Sequence, residues 1–210
     1  VDRLDEGTAG DTRWVMVLDY KSGNTRLDFT DWYAGVQIQL PGYMLAVVRL
    51  DGPEFAVLRP AAPAAAVYVP LRPAELTGAD GLELAELFAA SGLVNQDAID
   101  VLIDRERSVG REYGFTLGKN GQPTYVERSG LVNSAEFEAI LRHTEKLVRD
   151  AATQIAAGNV KVEPYRKRRT SACPNCDYYS VCRFDPQVNR YRHFAAMKKS
   201  EVLEALDGDD

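Results

Sequence analysis

The sequence is poor in the residues that build secreted miniature folds or membrane spans. Only 3 of its 210 residues are Cys, 2 are His and 2 are Trp. No apolar stretch approaches the roughly 20 residues that a transmembrane helix needs, so no membrane partner is expected. A charged, then apolar, then small-residue leader is also missing from the start, and thiols without secretory features point to the cytoplasm. An excess of positive charge is lacking as well: 25 Lys and Arg stand against 31 Asp and Glu, for a net charge of -6. That excludes a uniformly basic nucleic-acid binder. The chain has no initiator Met and opens directly on a strand pattern, which points to a piece of something longer.

With 45% hydrophobic residues the chain can bury a sizeable core. One main domain is expected over residues 1–159, with a smaller basic appendage over 160–210. Charge is what separates them. Residues 160–199 hold ten Lys or Arg and three acids, about +7 locally, while the remainder carries about -13. A local basic field can meet phosphates on an acidic protein, because contacts respond to the nearby potential rather than to the total.

The stretch around which the rest is organised is 14–23, WVMVLDYKSG. Four apolar residues, Val15 to Leu18, end at Asp19, Tyr20 and Lys21 before a Ser-Gly turn, which is the pattern of a buried strand. Alternation along a strand sends Asp19 and Lys21 to one face, so a carboxylate and an ammonium can meet the same phosphate. On its own such a triplet closes many strands as a surface ion pair. Its neighbours give it weight. Residues 1–5 precede a Gly-containing acidic turn at 6–11, so the two segments read as a β-hairpin that brings Asp2 to Asp19. Downstream, Gln39 and Tyr43 stand at i and i+4 on one helix face.

Further along, residues 28–49 read as a largely buried helix with Thr30 or Asp31 as N-cap and a kink at Pro41-Gly42, since an interior Pro costs about 3 kcal/mol. A Pro/Ala-rich connection then leads to a short strand at 66–69. Helical patterns cover 83–90 and 97–105, a hairpin with an Asn120-Gly121 turn covers 115–126, and the longest helix runs over 134–157 with Ser134 as N-cap.

All three cysteines lie in the basic segment, at Cys173, Cys176 and Cys182. So close a grouping in a reduced compartment points to metal ligation more than to disulfides, with a redox pair plus a spare Cys as the bland reading. Three ligands are one short of the usual four. The fourth is open: a cysteine outside this chain or, for zinc, His143 or His193. Just upstream, Arg166, Lys167, Arg168 and Arg169 are a solvated face or a phosphate contact.

Asp2, the strand ending Asp19-Tyr20-Lys21, and then Gln39 and Tyr43 resemble the ordered motifs of the RecB-like PD-(D/E)XK nucleases. The cysteine segment, EPYRKRRTSACPNCDYYSVCRFDPQVNRYR, resembles the iron-sulfur staple that ends the nuclease domain of AddB-type subunits of bacterial helicase-nucleases. The resemblance spans nearly the whole chain. It implies an α/β restriction-endonuclease-like core, a central mixed sheet flanked by helices, with a cysteine-held C-terminal iron-sulfur knuckle. It further implies that Asp2, Asp19 and the Tyr20 carbonyl bind Mg2+, that Lys21 orients water or offsets charge, and that Gln39 and Tyr43 support the site. Cys173, Cys176 and Cys182 would hold a 4Fe-4S cluster, with the first cysteine and a further metal ligand upstream of Val1. The activity implied is Mg2+-dependent exonuclease action on DNA ends, with an AddA-like helicase-nuclease as partner. The alternatives are a non-catalytic DNA-end-binding module and a stand-alone iron-sulfur nuclease built on the same core.

Overall fold

The computed structural model describes residues 1–23, 25–49, 61–71, 88–106 and 108–208. Two long strands open the chain. β1 (Arg3–Ala9) and β2 (Thr12–Lys21) form an antiparallel hairpin in which Arg3 faces Leu18 and Ala9 faces Thr12. The first strand therefore runs through most of the expected acidic turn, and Gly10, at φ 58°, and Asp11 alone reverse the chain. Glycine takes that left-handed backbone without a Cβ penalty.

Two helices follow where one kinked helix was expected. α1 (Phe29–Tyr33) is capped by Asp28, whose carboxylate accepts the Asp31 N–H, and α2 (Gln39–Arg49) starts afresh. The reason lies in Pro41. It sits in the first turn of α2, where its missing N–H would have had no partner in the helix, and the first helical bond is Gly42 N–H to the Ile38 carbonyl at 2.9 Å. No interior kink is needed.

β3 (Ala62–Pro70) takes in the alanines read as connection, and β4 (Ser91–Asn95) and β7 (Leu131–Val132) complete a five-stranded sheet in the order β1-β2-β3-β4-β7. It is mixed: β2 is parallel to β3 and β4 to β7, while β3 and β4 run antiparallel. Gly92 and Gly130 allow this close assembly, because a Cβ on either would strike a neighbouring carbonyl. Most of the connection at 50–66 and most of the helix expected at 83–90 lie outside the described residues. Between β4 and β7 come α3 (Ile99–Leu102), shorter than the 97–105 pattern, and the small hairpin of β5 (Thr116–Leu117) and β6 (Pro123–Thr124).

Alternation in the strands feeds two cores. Val15 and Val17 face one side with Ala66, Tyr68, Leu93 and Val132, and Met16 and Leu18 face the other with Ala65, Val67, Val94 and Leu131. Against the first side pack α2, through Leu40, Met44 and Val47, and α4 (Ser134–Ala156), through Phe137, Ile140 and Leu141. Each such side chain contributes about 1.5–3 kcal/mol by leaving water. The N-cap of α4 is Asn133, one residue before the expected Ser134, and it forms a reciprocal capping box with Glu136. Trp32 of α1 is buried here too, its indole N–H donating to Thr144 Oγ1 at 3.0 Å.

The basic segment folds as a small sheet of β8 (Tyr165–Lys167), β9 (Thr170–Ser171) and β10 (Arg192–His193), with α5 (Tyr179–Cys182) between. The chain then returns to the main body. α6 (Lys199–Asp207) buries Val202 and Leu206 in the first core, so residues 160–210 end in a helix of the larger unit. Among the described residues no helix is long and apolar enough to cross a membrane.

Candidate active site

Val15, Val17, Asp19 and Lys21 lie on one face of β2, the face covered by α2 and α4. Asp19 continues an apolar row and is only 4% exposed. The hairpin register, carried one step beyond Arg3 and Leu18, brings Asp2 abreast of Asp19. There the ladder gives way to side-chain chemistry: Asp2 Oδ2 accepts the Tyr20 N–H at 2.7 Å, which ties this exposed carboxylate to the peptide joining Asp19 to Tyr20.

The Lys21 ammonium lies 2.5 Å from Asp19 Oδ2 and donates to Gln39 Oε1 at 2.9 Å. Gln39 in turn donates from Nε2 to the Tyr43 hydroxyl, also at 2.9 Å. The two segments separated by the α1 region thus meet in a continuous chain, Asp19 to Lys21 to Gln39 to Tyr43. Gln39 can do this because it opens α2, with Tyr43 one turn on along the same face. The Lys21 contact satisfies the distance of an ion pair but not the direction of a hydrogen bond, so Asp19 Oδ2 remains buried without an aligned donor. A buried carboxylate oxygen held by a charge but not by an aligned hydrogen bond is only partly compensated.

Tyr68, which carries no local signal, completes the wall. It pairs with Asp19 across the parallel β2 and β3 strands, and the Lys21 ammonium stands 5.1 Å from its ring centroid. Burial first, then the Asp19 charge and Tyr43, push the Tyr68 hydroxyl up to about 12, against a smaller opposing effect of a backbone hydrogen bond with Leu40. Tyr68 is therefore a neutral group near pH 7.

These residues suit a hard divalent cation. Asp19 offers an oxygen without a directed donor, Asp2 a second carboxylate beside it, and both are the oxygen ligands that Mg2+ prefers. Among the described residues no further His, Cys, Asp or Glu joins them in a group of three. Mg2+ usually keeps several waters and substrate oxygens, which fits a site with few protein ligands.

The family described as the PD-(D/E)XK nuclease superfamily matches residues 1–183. The chain belongs to this superfamily. It is 32% identical over 98% of its length to the B component of the ATP-dependent helicase/deoxyribonuclease of Desulforudis audaxviator, covering 18% of that protein. Identity to the protein of the same name from Oceanobacillus iheyensis is 30% over 99% of this chain and 18% of the relative, and to that from Alkaliphilus metalliredigens 28% over 98% and 18%. The chain thus spans about a fifth of the length of the curated relatives it matches. The end of β2 in this superfamily member gathers Asp2, Asp19, Lys21, Gln39 and Tyr43.

In the C-terminal part of the matched region the three cysteines stand on a turn and a short helix. Cys173 and Cys176 bracket a short turn, the Cys176 N–H reaching the Cys173 carbonyl at 3.3 Å, and Cys182 ends α5. All three are free thiols, with Cys176 exposed, and among the described residues no group of three His, Cys, Asp or Glu is placed to hold a metal. The two histidines are engaged by other groups. His143 Nε2 is 3.0 Å from the Tyr33 carbonyl and its ring stacks on Tyr33, while exposed His193 packs edge-on to Tyr191.

The basic run is divided. Arg168 and Arg169 form the exposed tip of the β8–β9 hairpin, and the Arg166 guanidinium lies 4.8 Å over the Tyr191 ring. Lys167 points inward instead. Its ammonium is 2.8 Å from both Asp28 Oδ2 and Asp31 Oδ1, with its side chain 18% exposed. Burial raises and the Lys167 hydrogen bond lowers the Asp28 carboxyl, and with the N–H groups of Asp31 and Thr30 the net effect holds it below the usual 3.8. Sequence reasoning missed this pair because nothing local links acids at 28 and 31 to a cation more than a hundred residues away.

Proposed function

We propose that this domain is a Mg2+-dependent deoxyribonuclease, acting as an exonuclease within a helicase-nuclease complex that processes double-strand breaks for recombinational repair. The observation that carries the reading is Asp19: a buried carboxylate with an undirected oxygen, flanked by Asp2 and Lys21 at the open end of β2. Asp19, Asp2 and the Tyr20 carbonyl are the ligands for Mg2+, which when bound acidifies water and offsets charge on the scissile phosphate. Lys21 presents an ammonium to the attacking water or to a phosphate oxygen, where charge develops as the P–O bond breaks. Gln39 fixes that ammonium, and Tyr43 fixes Gln39. Arg166, Arg168 and Arg169 supply sequence-independent contacts to the DNA backbone.

The names of the relatives support a place beside an AddA-like helicase-nuclease, and a cytoplasmic location follows from that role. Three free thiols in a ten-residue stretch support a 4Fe-4S cluster completed by a cysteine outside this chain; iron content of the anaerobically purified protein checks it. The activity is tested with end-labelled linear single- and double-stranded DNA in Mg2+ and in chelator. Metal-dependent shortening from an end bears the reading out. DNA binding without cleavage under any divalent ion would replace it with a non-catalytic end-binding module.

A further inference from the structure

α1 is held from two sides by the C-terminal segment. Lys167 bridges Asp28 and Asp31, and Thr30 Oγ1 exchanges hydrogen bonds with the Met197 backbone, donating to its carbonyl at 3.1 Å and accepting its N–H at 3.0 Å. The other end of α1 leads to the active site within a few residues. The Asp31 carbonyl accepts the N–H groups of Val36 and Gln37 at 2.8 and 3.1 Å, and the Gln37 side chain spans the Arg26 carbonyl and the Asp28 N–H. Two residues later comes Gln39, the acceptor for Lys21. The path from Lys167 to Asp31, Gln37, Gln39 and Lys21 is continuous in hydrogen bonds and short backbone steps.

We infer that Lys167 is a positioning residue, not a phosphate contact: by clamping Asp28 and Asp31 it fixes the α1–α2 turn and so the place of Gln39 against Lys21. The arginines beside it on the hairpin tip face solvent, whereas its ammonium already has two carboxylate partners. A phosphate would have to displace both. The same clamp makes the basic hairpin and the active-site turn one mechanical unit, so a disturbance of the cysteine-bearing segment is felt at Gln39. This inference rests on the nuclease reading only for its turnover measurement.

The test is Lys167→Met in the full chain, with Lys167→Arg as the variant that keeps a cation within reach of both acids. Backbone amide exchange needs no activity: the Val36 and Gln37 amides should exchange about tenfold faster in Lys167→Met and recover in Lys167→Arg. The dependence of DNA affinity on salt should keep its slope. In cleavage of end-labelled DNA, turnover should fall about tenfold with KM unchanged. Unaltered exchange at Val36 and Gln37 overturns the inference. So does a salt slope reduced by about one with a raised KM, the signature of a lost phosphate contact. Should the parent bind DNA without cutting it, the nuclease reading fails, and the exchange rates still decide the role of Lys167.

Discussion

Mg2+ should stabilise the parent protein and leave an Asp19→Ala variant unmoved. Without metal, the parent carries a buried carboxylate whose Oδ2 has no aligned donor, a penalty of about 1–3 kcal/mol, offset by the Lys21 ammonium at 2.5 Å. Deleting the carboxylate removes both. Lys21 keeps Gln39 and, with its side chain 26% exposed, can recruit water, so the metal-free variant should lie within about 1 kcal/mol of the parent. Adding Mg2+ separates them. At ten times its dissociation constant, a ligand that binds only the folded state contributes about 1.4 kcal/mol. For a chain of 210 residues that corresponds to a rise in Tm of about 3–6 °C. Thermal unfolding in chelator and along a Mg2+ series reads this directly. Equal shifts in parent and variant, or none in the parent, would refute the assignment of Asp19 as a metal ligand.

Gln39→Ala removes one hydrogen bond to a charged group, about 1–2 kcal/mol, so cleavage should fall about 5- to 30-fold while DNA affinity holds; a gel-based rate and a binding isotherm on the same DNA check it. Trp32→Phe forfeits the indole bond to Thr144 and part of a fully buried ring, and should lower stability by about 1–3 kcal/mol as a fall in the urea midpoint at constant slope. Asp28 sits below its usual 3.8, so the folded state holds fewer protons on it than the unfolded one does. Its contribution is complete above 3.8 and is lost as pH falls through the lower folded value. Lys167→Met should therefore unfold at higher pH than the parent in an acid titration, by a margin that salt narrows, because the acids are partly exposed.

What is legible in the sequence is what short-range periodicity carries. Asp19 and Lys21 share a strand face because side chains alternate, and Gln39 and Tyr43 share a helix face because they are four apart. Asp2 can be brought to Asp19 because a hairpin is a local object. The single helix expected over 28–49 fails for a local reason as well: Pro41 looks like an interior breaker, but the five residues after Tyr33 let the chain start a second helix in which Pro occupies the first turn. The N-cap at Asn133 is within reach, since Asn133 and Glu136 stand at the spacing of a capping box. Other features have no local trace. Tyr68 arrives through parallel pairing of β2 and β3, and Lys167 turns inward toward acids on α1, so its neighbours in a basic run are the wrong guide. The cysteines announce a site by their spacing, and the ligand that would complete it leaves no trace in this sequence.

The most direct test of the central claim is the rate at which the protein cuts end-labelled DNA in Mg2+, parent against Asp19→Asn, with DNA affinity and Tm in chelator measured on both. Asn keeps the shape of the side chain and removes the charge that would hold the cation. The account predicts cleavage reduced at least about a thousandfold, with affinity and metal-free Tm close to the parent. Cleavage by Asp19→Asn at the parental rate would contradict it.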